Sequence, residues 1–374
     1  MKKNYILLFI MSISIGFAQI PTGYYNTATG SGYTLKTQLY NIIKNHNDQG
    51  YAALWTLYTD SAFRDNYYEN DGSLLDMYSE KPAGPDNYQY TTTSQQCGNY
   101  SGEGICYNRE HLVPQSYFDN YAVDPMKNDA FHVVPSDGYV NGQRNNLPFG
   151  RVSTATYTST NTSKKGDNLN SGYSAGYSGT VFEPIDEFKG DIARSFFYFA
   201  TRYENIMSNF YNTTNGSTTQ AKAMFDGSNN KVFSDTFLNI LITWHLSDPV
   251  STREMAINNR VYQHQGNRNP YIDHPEYVCQ IWPTQCAALA SNTFAKLEEI
   301  SVYPNPTNDN KINIESEITL DEIQLINLNG QLIQVVQKPE FTNNTYSLDN
   351  LPQGFYLLRL SSENQSVIKK IIVN

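Results

Sequence analysis

Apolar residues near the start of the chain recur at helical spacing. Leu35, Leu39, Ile42 and Ile43 fall at i, i+4, i+7 and i+8, and Leu54 and Leu57 follow a break at Gly50, which predicts helix over 34–58. Residues 79–104 hold Pro82, Gly84, Pro85 and a Thr91-Thr92-Thr93 run with no helical period, and read as loop and short strand. Residues 153–180, rich in Ser, Thr, Gly, Asn and Tyr, read as a long surface loop or ragged hairpin. Phe188, Ile192, Phe196, Phe199 and Tyr203 then predict a helix from Ile185 to Met207. Two more follow at Val232–Leu246 and Arg253–Gln263, with Pro249 between them and Asp248 and Ser251 as caps.

Near residue 292 the pattern changes. Short alternating or β-branched runs appear at 311–318, 322–328, 331–336, 354–361 and 367–373, and Asn329-Gly330 joins two of them as a hairpin turn. Such runs describe a small all-β sandwich. At the other end, Lys2 and Lys3 precede an apolar stretch, Tyr5 to Phe17, closed by Gly16-Phe17-Ala18. This is the pattern of a secretory signal peptide, too short to span a bilayer. With no second apolar span, the mature protein is expected to be soluble or surface-attached.

A length of 374 residues suits two or three domains, and 17% charged with 13% aromatic residues, 29 of them Tyr, argues for a packed core over disorder. Export permits disulfides. The four cysteines form two close pairs, so Cys97–Cys106 and Cys279–Cys286 bridges are expected among the three possible connectivities. A zinc site from all four competes, but its ligand spacings would be unusually wide. The formal charge is −10, and the part between the leader and residue 299 still carries −8. A nucleic-acid enzyme with this balance needs a local basic groove or a metal ion, because phosphate affinity is mostly electrostatic.

Two segments stand apart: Asn108-Arg109-Glu110-His111-Leu112-Val113-Pro114, and Phe131 to Asn146 with His132, Asn141, Arg144 and Asn145. Phosphodiester cleavage needs a base for water and a cation for charge building on the phosphate. An imidazole suits the first task, and a carboxylate oxygen with an amide oxygen suits a hard ion. Neighbouring Glu110 and His111 on a strand point to opposite faces, so a shared site must lie where the strand ends. Gly138 to Asn145 would open a helix with Asn141 and Asn145 on one face. Each residue also has a plainer reading. Asn141 is a candidate helix cap, Arg144 a surface partner of Asp137 or Asp129, and His132 a structural residue behind the site.

At these residues the chain resembles the bacterial endonuclease I family. The matching pieces are Cys-Tyr-Asn-Arg-Glu-His at 106–111, Val-Asn-Gly-x-Arg-x-Asn at 140–146, Phe-Lys-Gly-Asp-Ile-Ala-Arg at 188–194 and Gln-Gly-Asn-Arg-Asn-Pro-Tyr-Ile-Asp at 265–273. The resemblance implies an α+β fold, a mostly helical nuclease domain around a ββα-metal (His-Me) finger. It also implies a largely sequence-non-specific endonuclease acting on DNA and possibly RNA. By it, His111 is the general base, Glu110 and Asn141 hold one divalent ion, usually Mg²⁺, and Arg194 and Arg144 are phosphate contacts. Residues 265–273 read on their own as a tight structural turn. Val302-Tyr303-Pro304-Asn305-Pro306-Thr307, Gly354-Phe355-Tyr356 and the closing Lys-Lys-Ile-Ile-Val resemble a type IX secretion sorting domain, which implies passage to the cell surface or beyond. The expected layout is signal peptide 1–18, catalytic domain 19–292, linker 293–300 and sorting domain 301–374. A non-catalytic surface protein binding extracellular DNA or glycans on the same scaffold is the alternative. The joint presence of Glu110, His111 and Asn141 argues against it.

Overall fold

The computed structural model describes residues 20–98, 100–118, 123–214, 217–362 and 365–374; the expected signal peptide lies outside them. Helix and strand are mixed up to residue 299, and strands dominate beyond it. The first helix, Gly32–Ile43, buries Leu35, Leu39 and Ile43, as their spacing requires, and a short helix follows at Ala53–Leu57. The long helix expected from 185 to 207 is divided: a 3₁₀ turn at Asp186–Phe188, an α-helix at Lys189–Arg202, and a second 3₁₀ segment at Glu204–Asn212. The Lys189–Arg202 helix is buried on nearly every side, by the Asp235–Ser247 helix among others. Phe196 and Phe197 meet Phe233, and Phe197 also meets Trp282 at a centroid distance of 4.9 Å. The Thr252–Gln265 helix begins with a capping box between Ser251 and Glu254.

Arg194 is fully buried in this packing. Its Nε and Nη2 donate to Glu254 at 2.5 and 2.7 Å, and its Nη1 donates to the Asp248 carbonyl at 2.7 Å. Arg253 reaches Asp191 at 2.6 Å beside it. The expected phosphate contact at Arg194 is therefore corrected: its guanidinium ties two helices together and is sealed from substrate. Gly190 is required for that closeness, since a Cβ there would lie 2.1 Å from the Asp248 carbonyl oxygen. Residues 265–273 form the structural turn their composition suggests. Gly266 closes a helix at φ 85°, Asn269 caps the Pro270–Asp273 helix, and Arg268 pairs with Asp273 through two contacts.

The 153–180 stretch contains β3 (Val152–Thr158) and β4 (Lys164–Asn168), paired with register shifts, and β4 pairs with β5 (Thr180–Glu183). Strands β1 (Tyr107–His111) and β2 (Val133–Asp137), which precede these, belong to the site below. The Pro283–Glu299 helix runs through most of the expected linker, so residues 293–299 are helical. Beyond it, β6 (Ser301–Tyr303), β7 (Ile312–Glu315) and β10 (Thr345–Leu348) make one sheet. A second comprises β8 (Glu322–Asn327), β9 (Leu332–Gln337), β11 (Gly354–Ser362) and β12 (Gln365–Val373). Ile312, Ile314, Ile323, Leu325, Leu358, Leu360 and Ile371 form an apolar cluster of their own, apart from the larger aromatic core. Among the described residues no helix is long and apolar enough to cross a membrane.

Candidate active site

Strand β1 (Tyr107–His111) pairs antiparallel with β2 (Val133–Asp137), with Glu110 opposite Val134 and His111 opposite Val133. The Gly138–Arg144 helix starts where β2 ends. Asp137 caps it, accepting from the Val140 N–H, so Asn141 is not the cap. Tyr90 donates to the same carboxylate at 2.6 Å and Asp76 accepts the Asp137 N–H at 2.6 Å. The helix ends at Asn145, whose N–H donates to the Asn141 carbonyl and whose φ is 51°.

Strand alternation puts Asn108 and Glu110 on one face of β1 and Arg109 and His111 on the other. Contacts follow that division. The Asn141 amide donates to Asn108 Oδ1 at 2.7 Å, which sets the helix over the Glu110 face and leaves Asn141 Oδ1 as an acceptor. Arg109 lies flat on Tyr51, 3.4 Å from the ring centroid, and the His111 ring is 5.8 Å from the same ring. The strand stops at His111, and both faces there open on one cavity of about 290 Å³. Arg109, Glu110, His111, Asn141, Arg144 and Asn145 are among the residues lining it. A larger cleft, about 510 Å³, lies elsewhere and is lined by no histidine; its Lys189 is already paired with Glu183 and Asp186.

Glu110 is buried. Tyr78 donates to its Oε1 at 3.0 Å and Arg144 Nη1 lies 3.0 Å from the same oxygen. Burial pushes the carboxyl up to about 7, although Arg144 and Tyr78 pull it down. The His111 Nε2 lies 3.2 Å from the Lys127 carbonyl. A carbonyl only accepts, so Nε2 carries the proton and Nδ1 keeps its lone pair. Burial, with His132 nearby, pushes His111 down to about 3, so the ring is neutral near pH 7. His132 is held in the same manner by the Met126 carbonyl and packs on Phe199, which is the structural position expected of it. The donor set fits a hard divalent ion: one carboxylate whose two contacts fall on one oxygen, and one amide oxygen on the same face.

Arg144, expected as a phosphate contact, lines the cavity with its guanidinium committed to protein acceptors. Its side chain is 1% exposed; Nη1 donates to the His111 carbonyl at 2.8 Å and Nη2 to the Leu112 carbonyl at 2.5 Å. It holds the end of β1 and faces Glu110, not Asp137 or Asp129. Arg109, half-buried at the cavity, is the cation not singled out from sequence, and its place two residues before His111 was the available signal. Tyr78 carried no such signal, being 32 residues from Glu110 in irregular chain.

Both expected disulfides are present, which excludes the four-cysteine zinc site. Cys97–Cys106 closes a short loop whose ends bond to the site: Cys97 N–H to the Tyr107 carbonyl, and Gly138 N–H to the Cys106 carbonyl. Replacing both cysteines by alanine is expected to cost about 2–3 kcal/mol, from the loop-closure entropy of a ring of roughly ten residues. Urea melts of wild type and the double variant measure it, and coincident midpoints would remove the bracing role.

The amino-acid sequence matches two family models, one described as Endonuclease I over residues 31–276 and one as a secretion system C-terminal sorting domain over 301–374. The chain is 32% identical to an extracellular ribonuclease of Bacillus amyloliquefaciens over 267 residues, 69% of this chain and 78% of the relative. It is 31% identical to the extracellular ribonuclease of Bacillus subtilis over 264 residues, 70% and 78% of the two chains. The protein is thus a nuclease, a phosphodiester hydrolase that is secreted or held at the cell surface. It belongs to the endonuclease I family, whose members depend on a metal, and it ends in a type IX sorting tail.

Proposed function

We propose that this nuclease cuts DNA, and RNA as well, at internal phosphodiester bonds with little sequence preference. His111 is the general base, and Glu110 and Asn141 hold one divalent ion, Mg²⁺ in the simplest case. We read β1, β2 and the Gly138–Arg144 helix as a ββα-metal (His-Me) finger, and the two C-terminal sheets as a sandwich. The name of the Bacillus relatives brings RNA in beside DNA.

The observation that carries the reading is the Nε2–H to Lys127 carbonyl bond, because it fixes the tautomer that a base requires. With Nε2 committed, Nδ1 takes the proton of a water lying in line with the phosphorus. Tyr51, Phe118 and His132 around the ring limit its rotation, so the lone pair keeps one direction. Arg144 and Tyr78 fix Glu110, and Asn108 fixes the Asn141 amide. The bound ion supplies Lewis-acid stabilisation of negative charge on the phosphate oxygens. Arg109 adds a positive charge at the cavity wall, which offsets locally an acidic chain.

Purified protein should degrade plasmid, linear DNA and ribosomal RNA in Mg²⁺, and EDTA should stop all three. A zymogram run on DNA and RNA with and without metal tests this. Cleavage of RNA alone would remove DNA from the substrates. Retention of nucleic acid without turnover would favour the binding-protein alternative.

A further inference from the structure

Five carboxylates gather on the chain between Asp65 and Asp86, outside the catalytic cavity. Asp65, Glu69 and Glu80 present oxygens within 4.8 Å of one another, and Glu69 also groups with Asp71 and Asp86. Asp65 Oδ1 accepts the N–H groups of Tyr67 and Tyr68 at 3.0 and 2.9 Å. Glu80 is different. It is 1% exposed, it is aimed into the cluster, and neither of its oxygens accepts from a backbone or basic donor; its hydrogen-bonding neighbour is the Glu69 carboxyl. Both oxygens of Glu69 are likewise buried and accept from no backbone or basic donor. Among the described residues no Lys, Arg or His forms an ion pair with any of the five.

Buried carboxylates without such donors are rare because desolvation is so costly; they pair, bind a cation, or take up protons. Without a cation, burial and the neighbouring Asp86, Glu69 and Asp65 push Glu80 up to about 9. Several free oxygens converge here, and one shared proton satisfies few of them. We propose that Asp65, Glu69 and Glu80 form a second cation site of the calcium type, with Asp71 and Asp86 as an outer ring of charge. All-oxygen, carboxylate-rich ligands on irregular backbone suit Ca²⁺, which accepts six to eight oxygens in flexible geometry, better than Mg²⁺.

The same segment serves the active site. Asn161 donates to the carbonyls of Met77 and Glu80, Asp76 accepts the Asp137 N–H, and Tyr78 donates to Glu110. A cation at Glu80 therefore stiffens the support of Glu110 and of the Gly138–Arg144 helix. The site itself stands independently of the roles assigned to Glu110 and Asn141.

The full chain, stripped with EDTA and dialysed, is titrated with Ca²⁺ to roughly 5 mM, above the range typical of extracellular calcium modules. Melting temperature and Tb³⁺ luminescence, sensitised by the adjacent Tyr67 and Tyr68, are the readouts. Ca²⁺ is expected to raise Tm by about 5 °C or more. The rise should persist in Glu110→Gln, with one Tb³⁺ per chain, and disappear in Glu80→Gln. In EDTA, Glu80→Gln should melt close to wild type, because the amide replaces a carboxyl that already holds a proton when no cation is bound. Glu69→Gln, at a less buried position, gives the same comparison if Glu80→Gln does not fold. A wild-type Tm indifferent to Ca²⁺ overturns the proposal. So does a shift that survives Glu80→Gln or Glu69→Gln but vanishes in Glu110→Gln, which would place the ion in the catalytic cavity alone.

Discussion

Replacing His111 with alanine is expected to slow cleavage of supercoiled plasmid by about 10²–10⁴-fold while the domain stays folded. That range corresponds to roughly 3–5 kcal/mol of lost transition-state stabilisation. The loss should fall on kcat, because the imidazole acts on water and the remaining wall, Arg109 included, still meets substrate. The ring packs against Tyr51, Phe118 and His132, so its removal leaves a small void and a modest drop in Tm. His111→Gln separates packing from proton transfer: it refills much of the void and cannot act as a base. Steady-state cleavage with circular dichroism melts measures both. Cleavage within threefold of wild type in either variant would take the base assignment away from His111.

Arg144→Met should chiefly destabilise. The wild-type guanidinium serves three acceptors that face inward: the His111 and Leu112 carbonyls and the Glu110 carboxylate. Methionine fills a similar volume but donates nothing, so it leaves a buried carboxylate and two carbonyls without their partner. Breaking one side of a buried ion pair typically costs about 3–5 kcal/mol. For a domain of this size that is a fall in Tm of roughly 6–20 °C. Activity should fall as well at temperatures where the variant is folded, since β1 loses the clamp that presents Glu110 and His111 together. Arg144→Lys keeps the charge without the fork that spans two carbonyls, and should lie between. A wild-type melting curve for Arg144→Met would show that the contacts are dispensable and would reopen its candidacy as a substrate contact.

The two arginines show how far a family resemblance carries. Arg144 and Arg194 sit in the matching segments, and the resemblance drew both toward phosphate. Both guanidiniums are instead committed to backbone carbonyls or carboxylates contributed by distant chain, Arg194 inside the helix packing and Arg144 at the cavity wall. Sequence spacing carries no information about whether a cation meets its anion inside or outside. The segments at 188–194 and 265–273 are occupied with construction: Gly190 admits the Asp248 carbonyl, and Arg268 locks Asp273.

Periodicity alone located the helices at Gly32–Ile43, Asp235–Ser247 and Thr252–Gln265, and the change to strands after residue 299, because burial of one face imposes a repeat that residue order must carry. It overran in the 34–58 stretch, where residues 44–52 are not helical, and on the Lys189–Arg202 helix, where an aromatic row continues through 3₁₀ turns at a similar spacing. Close cysteine spacing fixed the disulfides, since short loops close at least entropic cost. Glu110, His111 and Asn141 could be named from order along the chain, and their roles remain for the variants to test. Only the tertiary structure decided that the Lys127 carbonyl orients His111, that Tyr78 and Arg144 hold Glu110, and that Glu80 lies buried among carboxylates. Those are contacts between segments far apart or without periodic pattern, where geometry is set by packing and leaves no repeat in the sequence to read.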